Sequence, residues 1–107
     1  MAYARKFTDQ LEPPRAEVEA GEGWLLLEFG TDWCGHCAAA QPVVKDFVEK
    51  RALDHRKVED GKGRPLGRAF TVKLWPTLIL LRHGREVGRV VRPTAKEDLE
   101  VLERALG

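Results

Sequence analysis

Long apolar runs, surplus charge of either sign and cysteine are all scarce in this 107-residue chain. The longest uninterrupted apolar stretches, Trp24 to Leu27 and Leu78 to Leu81, fall far short of the roughly 20 residues a helix needs to cross a bilayer. Met1 to Arg15 lacks an apolar h-region and carries Asp9, Glu12 and two prolines, unlike a secretory leader. A cytoplasmic location with no membrane partner is therefore expected. A formal charge of +1 argues against general nucleic-acid binding. Arg82, Arg85, Arg89 and Arg92 gather late in the chain, but Glu86 and the acidic last segment offset them, as on a solvated strand pair. Two cysteines close in sequence do not make the multi-disulfide framework of small secreted domains and point instead to a catalytic or metal-binding pair. What remains is a globular composition, 43% apolar, with no repeat or low-complexity tract, which suits one domain over residues 1–107, expected to be a monomer.

The informative feature is Cys34-Gly35-His36-Cys37, directly after the hydrophobic segment Trp24 to Gly30. Two cysteines at this spacing, between a strand exit and a helix entrance, can close a disulfide within one helical turn. The free N–H groups and positive dipole end of the helix favour a thiolate, and Cys34, nearer that end, is the expected nucleophile. A metal site is the rival, since Cys34 and Cys37 have ligand spacing and His36, His55 and His83 could add to them. No second paired motif completes such a set, so no metal is expected. Covalent haem attachment fails because Ala38 stands where C-x-x-C-H needs histidine.

Periodicity orders the rest. Tyr3 to Phe7 alternates weakly, as an edge strand would, and Thr8 to Pro14 reads as a connection. Pro14 suits the first position of a short helix over Arg15 to Ala20, with Gly21 and Gly23 as its stop. Trp24 to Phe29 is apolar on both faces except at Glu28, the pattern of a central strand covered by helices. Ala40, Val43, Val44, Phe47 and Val48 form one face of an amphipathic helix that contains Pro42 and is expected to kink there. His55 to Glu59 is a strand, Asp60 to Pro65 a loop and Leu66 to Phe70 a small helix. Thr77 to Leu81 and Glu86 to Val91 flank a hairpin at His83-Gly84. Thr94 and Glu97 predict a capping box for a last helix lined by Leu99, Leu102 and Leu106. This order gives an α/β fold with a central mixed sheet and helices on both faces.

From Trp24 to Leu106 the chain resembles the thioredoxin family. Leu26-Leu27-Glu28-Phe29 before Trp33-Cys34-Gly35-His36-Cys37 is similar to the catalytic domains of protein disulfide isomerases, which share the Cys-Gly-His-Cys centre. Pro42 falls where the family kinks its active-site helix, Trp75-Pro76-Thr77 where it has a cis-proline loop facing the disulfide, and His83-Gly84 at its hairpin glycine. Three positions depart from the common pattern: Trp75 replaces a smaller residue, Ala38 a lysine, and Arg92 a glycine beside the active-site surface.

The resemblance implies a thioredoxin fold and a thiol-disulfide oxidoreductase that reduces or isomerises protein disulfides without a bound cofactor. Its partners would be protein disulfides or dithiols and an electron donor such as a thioredoxin reductase or glutathione. In that scheme Cys34 attacks the substrate and Cys37 resolves the mixed disulfide. Gly35 and His36 tune the pair, a more stable thiolate making the disulfide more oxidising. Glu28 matches the family's buried acid, able to take the proton from Cys37, and Lys57 the lysine near that acid. Trp33, Trp75 and Pro76 form an apolar rim, with the Trp75 backbone free for strand addition by a substrate; Arg92, where this chain departs from the family, is expected to narrow the partner range toward acidic substrates. The alternatives are a thioredoxin-fold binding or regulatory module without turnover, and a metal-binding protein.

Overall fold

The computed structural model describes residues 3–7 and 12–107. Helix α1 spans Arg15–Glu19, strand β1 Trp24–Gly30, α2 Gly35–Arg51, β2 Asp54–Glu59, α3 Pro65–Ala69, β3 Thr77–Arg82 and β4 Arg85–Val91, and a 3-10 turn over Lys96–Leu99 leads into α4, Glu100–Leu106. The strands form a mixed sheet in the order β2-β1-β3-β4. β1 is its apolar centre. It pairs in parallel with β2, setting Glu28 opposite Lys57, and antiparallel with β3, setting Glu28 opposite Leu78. β3 and β4 complete the antiparallel hairpin around His83-Gly84.

Alternation along β1 divides the core into two layers. Leu26, with Leu78 and Leu80, meets Ala40, Val44, Phe47 and Val48 of α2 together with Leu99 and Leu102. Leu27 and Phe29, with Ile79, Leu81 and Val58, meet Val18 of α1, Leu66 of α3 and Phe70. Helices thus cover both faces, as the sequence predicts, and each fully buried leucine contributes roughly 1.5–3 kcal/mol through removal from water. Trp24 packs at the edge of the first layer under the Arg82 guanidinium, 4.8 Å from its ring.

Three local expectations are corrected. Tyr3 to Phe7 is not a strand, because its backbone donors go to side chains: Ala4 N–H to His55 Nδ1 at 2.9 Å and Phe7 N–H to Asp32 Oδ1 at 2.8 Å. Of the connection expected from Thr8 to Pro14, residues 8–11 lie outside the described residues. Pro14 precedes α1 as its cap in an extended conformation, φ −66° and ψ 151°, one position earlier than expected. At the last helix the capping carboxylate is Asp98 and not Glu97, with Oδ2 accepting N–H bonds from Thr94 and Ala95, both at 3.0 Å. The helix starts one residue later than Thr94 suggests, so the acid three positions past its start is Asp98.

Candidate active site

β1 ends at Gly30, and a short turn brings Cys34 to the cap of α2 in an extended conformation, φ −82° and ψ 123°. There the Cys34 sulfur accepts the Cys37 N–H at 3.4 Å. Cys34 is half-buried and Cys37 only 2% exposed, and both are free cysteines. Gly30 makes room for the inner sulfur, since a Cβ on it would lie 2.5 Å from Cys37 Sγ and 2.9 Å from Phe7 Cζ. Burial pushes the Cys37 thiol up to about 12, helped by its hydrogen bond with Cys34 and the charges of Cys34 and Glu28; the Thr31 backbone pulls the other way. Cys37 therefore keeps its proton near neutral pH.

Behind Cys37 lies Glu28, fully buried on β1. Its Oε1 meets His55 Nε2 at 2.8 Å, and its Oε2 accepts from Gln41 Nε2 at 2.8 Å. The same Gln41 nitrogen donates to the Cys37 carbonyl at 2.7 Å, linking the acid to the turn that holds the thiol. Lys57, 4% exposed, occupies the position opposite Glu28 in the β1–β2 register; its ammonium donates to the Arg5 carbonyl at 2.9 Å and the Tyr3 hydroxyl at 3.2 Å. Tyr3 in turn donates to Gln41 Oε1, and burial together with the charge of Glu28 pushes its phenol up to about 12.

Gln41 is a site residue without a sequence expectation, and His55, a candidate metal ligand in the sequence, instead holds Glu28. The signals were present: two residues before Lys57 on a strand, and four after Cys37 on a helix, share a face with those residues.

The rim is aromatic. Trp33 is 76% exposed and meets Trp75 edge to face, with ring centroids 5.7 Å apart. The Trp75 indole is held by Asp60 Oδ2 at 2.8 Å, the Trp75–Pro76 peptide is cis, and Pro76 is buried. Arg92 adopts a left-handed backbone, φ 52°, and its Nε donates to the Trp75 carbonyl at 2.8 Å. The Trp75 carbonyl is thus engaged from within the chain, where the sequence reading left that backbone free. Gly35 and His36 are exposed on the first turn of α2. The three histidines do not converge: His36 is at the surface, His55 is beside Glu28 and His83 is in the hairpin, and among the described residues no cluster of His, Cys, Asp and Glu could hold a metal.

An accessible sulfur at a helix start, a buried thiol one turn on and a cis-proline loop beside an aromatic rim define a thiol-disulfide oxidoreductase. The thioredoxin family model matches residues 9–103, and the chain belongs to the thioredoxin family. It is 31% identical over 86 residues to thioredoxin of Listeria monocytogenes, covering 78% of this chain and 84% of that protein. Against thioredoxin H2 of Arabidopsis thaliana it is 26% identical over 78% of this chain, a match that spans 63% of that protein. The solved structure of thioredoxin 2 from Pseudomonas aeruginosa in its reduced form superposes with a TM-score of 0.80 at 49% identity, covering 100% of this chain and 96% of that one. No helix among the described residues is long and apolar enough to cross a membrane.

Proposed function

We propose that this chain reduces disulfides in protein substrates in two steps, and isomerises them when the substrate keeps a thiol that can compete with Cys37. Cys34 thiolate attacks one substrate sulfur, forming the mixed disulfide and expelling a substrate thiolate that takes a proton from solvent. Cys37 passes its proton to Glu28, and its sulfur attacks Cys34, closing the Cys34–Cys37 disulfide and releasing the second substrate sulfur as a thiolate, which takes a proton from solvent. The substrate gains two electrons and the cysteine pair loses them. A thiol or reductase donor, such as glutathione or a thioredoxin reductase, restores the dithiol.

The observation that carries this reading is the inequality of the two sulfurs: Cys34 within reach of solvent at a helix cap, Cys37 2% exposed and still protonated at neutral pH. A buried thiol that must lose its proton needs an acceptor, and Glu28 is the carboxylate whose charge already reaches it. Lys57 sits opposite that acid and balances it. Gly35 and His36 face solvent beside Cys34, where the imidazole tunes the stability of its thiolate. Trp33, Trp75 and Pro76 offer the substrate an apolar seat, and Arg92 favours acidic segments. The protein works as a monomer in the cytoplasm.

Repeated reduction of a protein disulfide with a small dithiol as donor tests the function. Many turnovers per Cys34/Cys37 pair are expected; stoichiometric reaction that stops after one round would overturn it in favour of a redox-regulated binding module.

A further inference from the structure

Glu28 is enclosed by donors that disulfide exchange does not itself require. The side chains of Glu28 and His55 have no solvent exposure and meet at 2.8 Å. On the far side of the imidazole, Ala4 N–H donates to Nδ1 at 2.9 Å. A ring nitrogen that accepts carries no proton, so His55 is neutral with its hydrogen on Nε2, aimed at Glu28 Oε1. Gln41 is oriented with equal definition. Its Nε2 faces two acceptors, the Cys37 carbonyl and Glu28 Oε2, while its Oε1 receives the Tyr3 hydroxyl. Both oxygens of Glu28 are thus acceptors, the arrangement of a carboxylate waiting for a proton.

The other groups turned toward this compartment agree. Cys37 comes from α2, Lys57 from β2 and Tyr3 from the N-terminal segment, while β3 presents Leu78 at the register position of Glu28. The Tyr3 ring stacks on His55 with centroids 5.3 Å apart, which closes the imidazole between the segment and β2.

We propose that His55 is a positioning residue for the resolving step: fixed as the Nε2–H tautomer by the backbone of Ala4, it keeps Glu28 ready to accept the proton of Cys37. The proposal rests on the assignment of Glu28 as that acceptor. It makes the N-terminal segment part of the machinery, because the strap that carries Ala4 sets the tautomer. Without His55 the carboxylate loses one of the two donors that stabilise its charged form.

Two measurements on the full-length protein test it. Imidazole nitrogen NMR of the wild type at neutral pH should show the His55 ring with its hydrogen on Nε2 and Nδ1 accepting; an Nδ1–H ring would overturn the proposal. In stopped-flow, His55→Leu should slow release of the mixed disulfide about tenfold or more near neutral pH and move its pH profile upward, so that the rate recovers in alkali. His55→Gln, which offers an amide donor to Glu28 and an oxygen to Ala4, should retain most of the rate. Uniform slowing at every pH, or an unmoved profile, would overturn the proposal. Glu28→Gln separates the two assignments: release as fast as wild type would remove Glu28 itself as acceptor, whereas slow release with an unmoved His55→Leu profile would remove only His55. Should His55→Leu fail to fold, the tautomer and the His55→Gln rate decide.

Discussion

At Gly30 the absence of a side chain does as much for the site as the presence of one does at Cys37. The inner sulfur packs where a Cβ would stand, with Phe7 closing the same space. Gly30→Ala must push back either the sulfur or a β1 backbone fixed on both sides by its neighbours, and overpacking of this kind costs roughly 1–3 kcal/mol. A urea titration should show the unfolding free energy falling by that amount, as a lower midpoint at unchanged slope; an unaltered midpoint would mean that the pocket is looser than its geometry implies. At this scale the sequence was partly legible. The two cysteines announced themselves through spacing and position, and Glu28 through being the one charge in an apolar strand. The role of His55, which its type suggests only as a metal ligand, and that of Gln41 did not, because each depends on a contact made across the sheet or along a helix turn, and a polar residue in an amphipathic pattern reads first as a solvated one. Lys57 was placed near the acid by resemblance, and its ammonium reaches Tyr3 and Arg5 as well as standing across from Glu28.

Among the elements, the last helix shows how a one-residue offset changes which side chain matters. Asp98 gathers the N–H groups of Thr94 and Ala95, and these bonds hold its carboxyl below the usual aspartate range. A value lower in the folded state than in the unfolded one adds stability at pH values above the unfolded value of 3.8, and that contribution disappears as the pH falls through the folded value. Asp98→Ala should therefore melt at a lower temperature than the parent at neutral pH, with the gap closing as the pH falls below 3.8 and through the folded value. A gap of constant size down to the acid limit would show that packing and not the carboxylate is responsible. Apolar runs and the hairpin signal made β1, β3 and β4 readable within a residue or two, and the helical spacing of apolar residues did the same for α2. The N-terminal segment misled because weak alternation cannot distinguish a strand from an extended strap whose backbone is satisfied by buried side chains.

For the molecule as a whole, the two-layered core followed from pattern alone, whereas the surface that meets a partner depended on where the loops bring Trp33, Trp75 and Arg92 together. Arg92 bonds the Trp75 carbonyl yet leaves a positive charge at the rim, and its φ of 52° is one that glycine adopts freely. Arg92→Gly should keep the fold, broaden activity across protein disulfides and flatten its dependence on ionic strength, because surface charge steering is screened by salt. An identical substrate range and salt slope would assign the arginine to loop closure alone.

The central claim is a division of labour between an outer sulfur that attacks and an inner one that releases. It is tested most directly by trapping. Cys37→Ser, mixed in its reduced form with an oxidised protein substrate and quenched with acid, should accumulate one substrate molecule covalently linked through Cys34, as identified by mass spectrometry of the linked peptides. Cys34→Ser should yield no such adduct, since the remaining thiol is 2% exposed and its burial, the largest cause that pushes it up, is untouched by the change. An adduct on Cys37 of that second variant, formed as readily as the one on Cys34, would contradict the account.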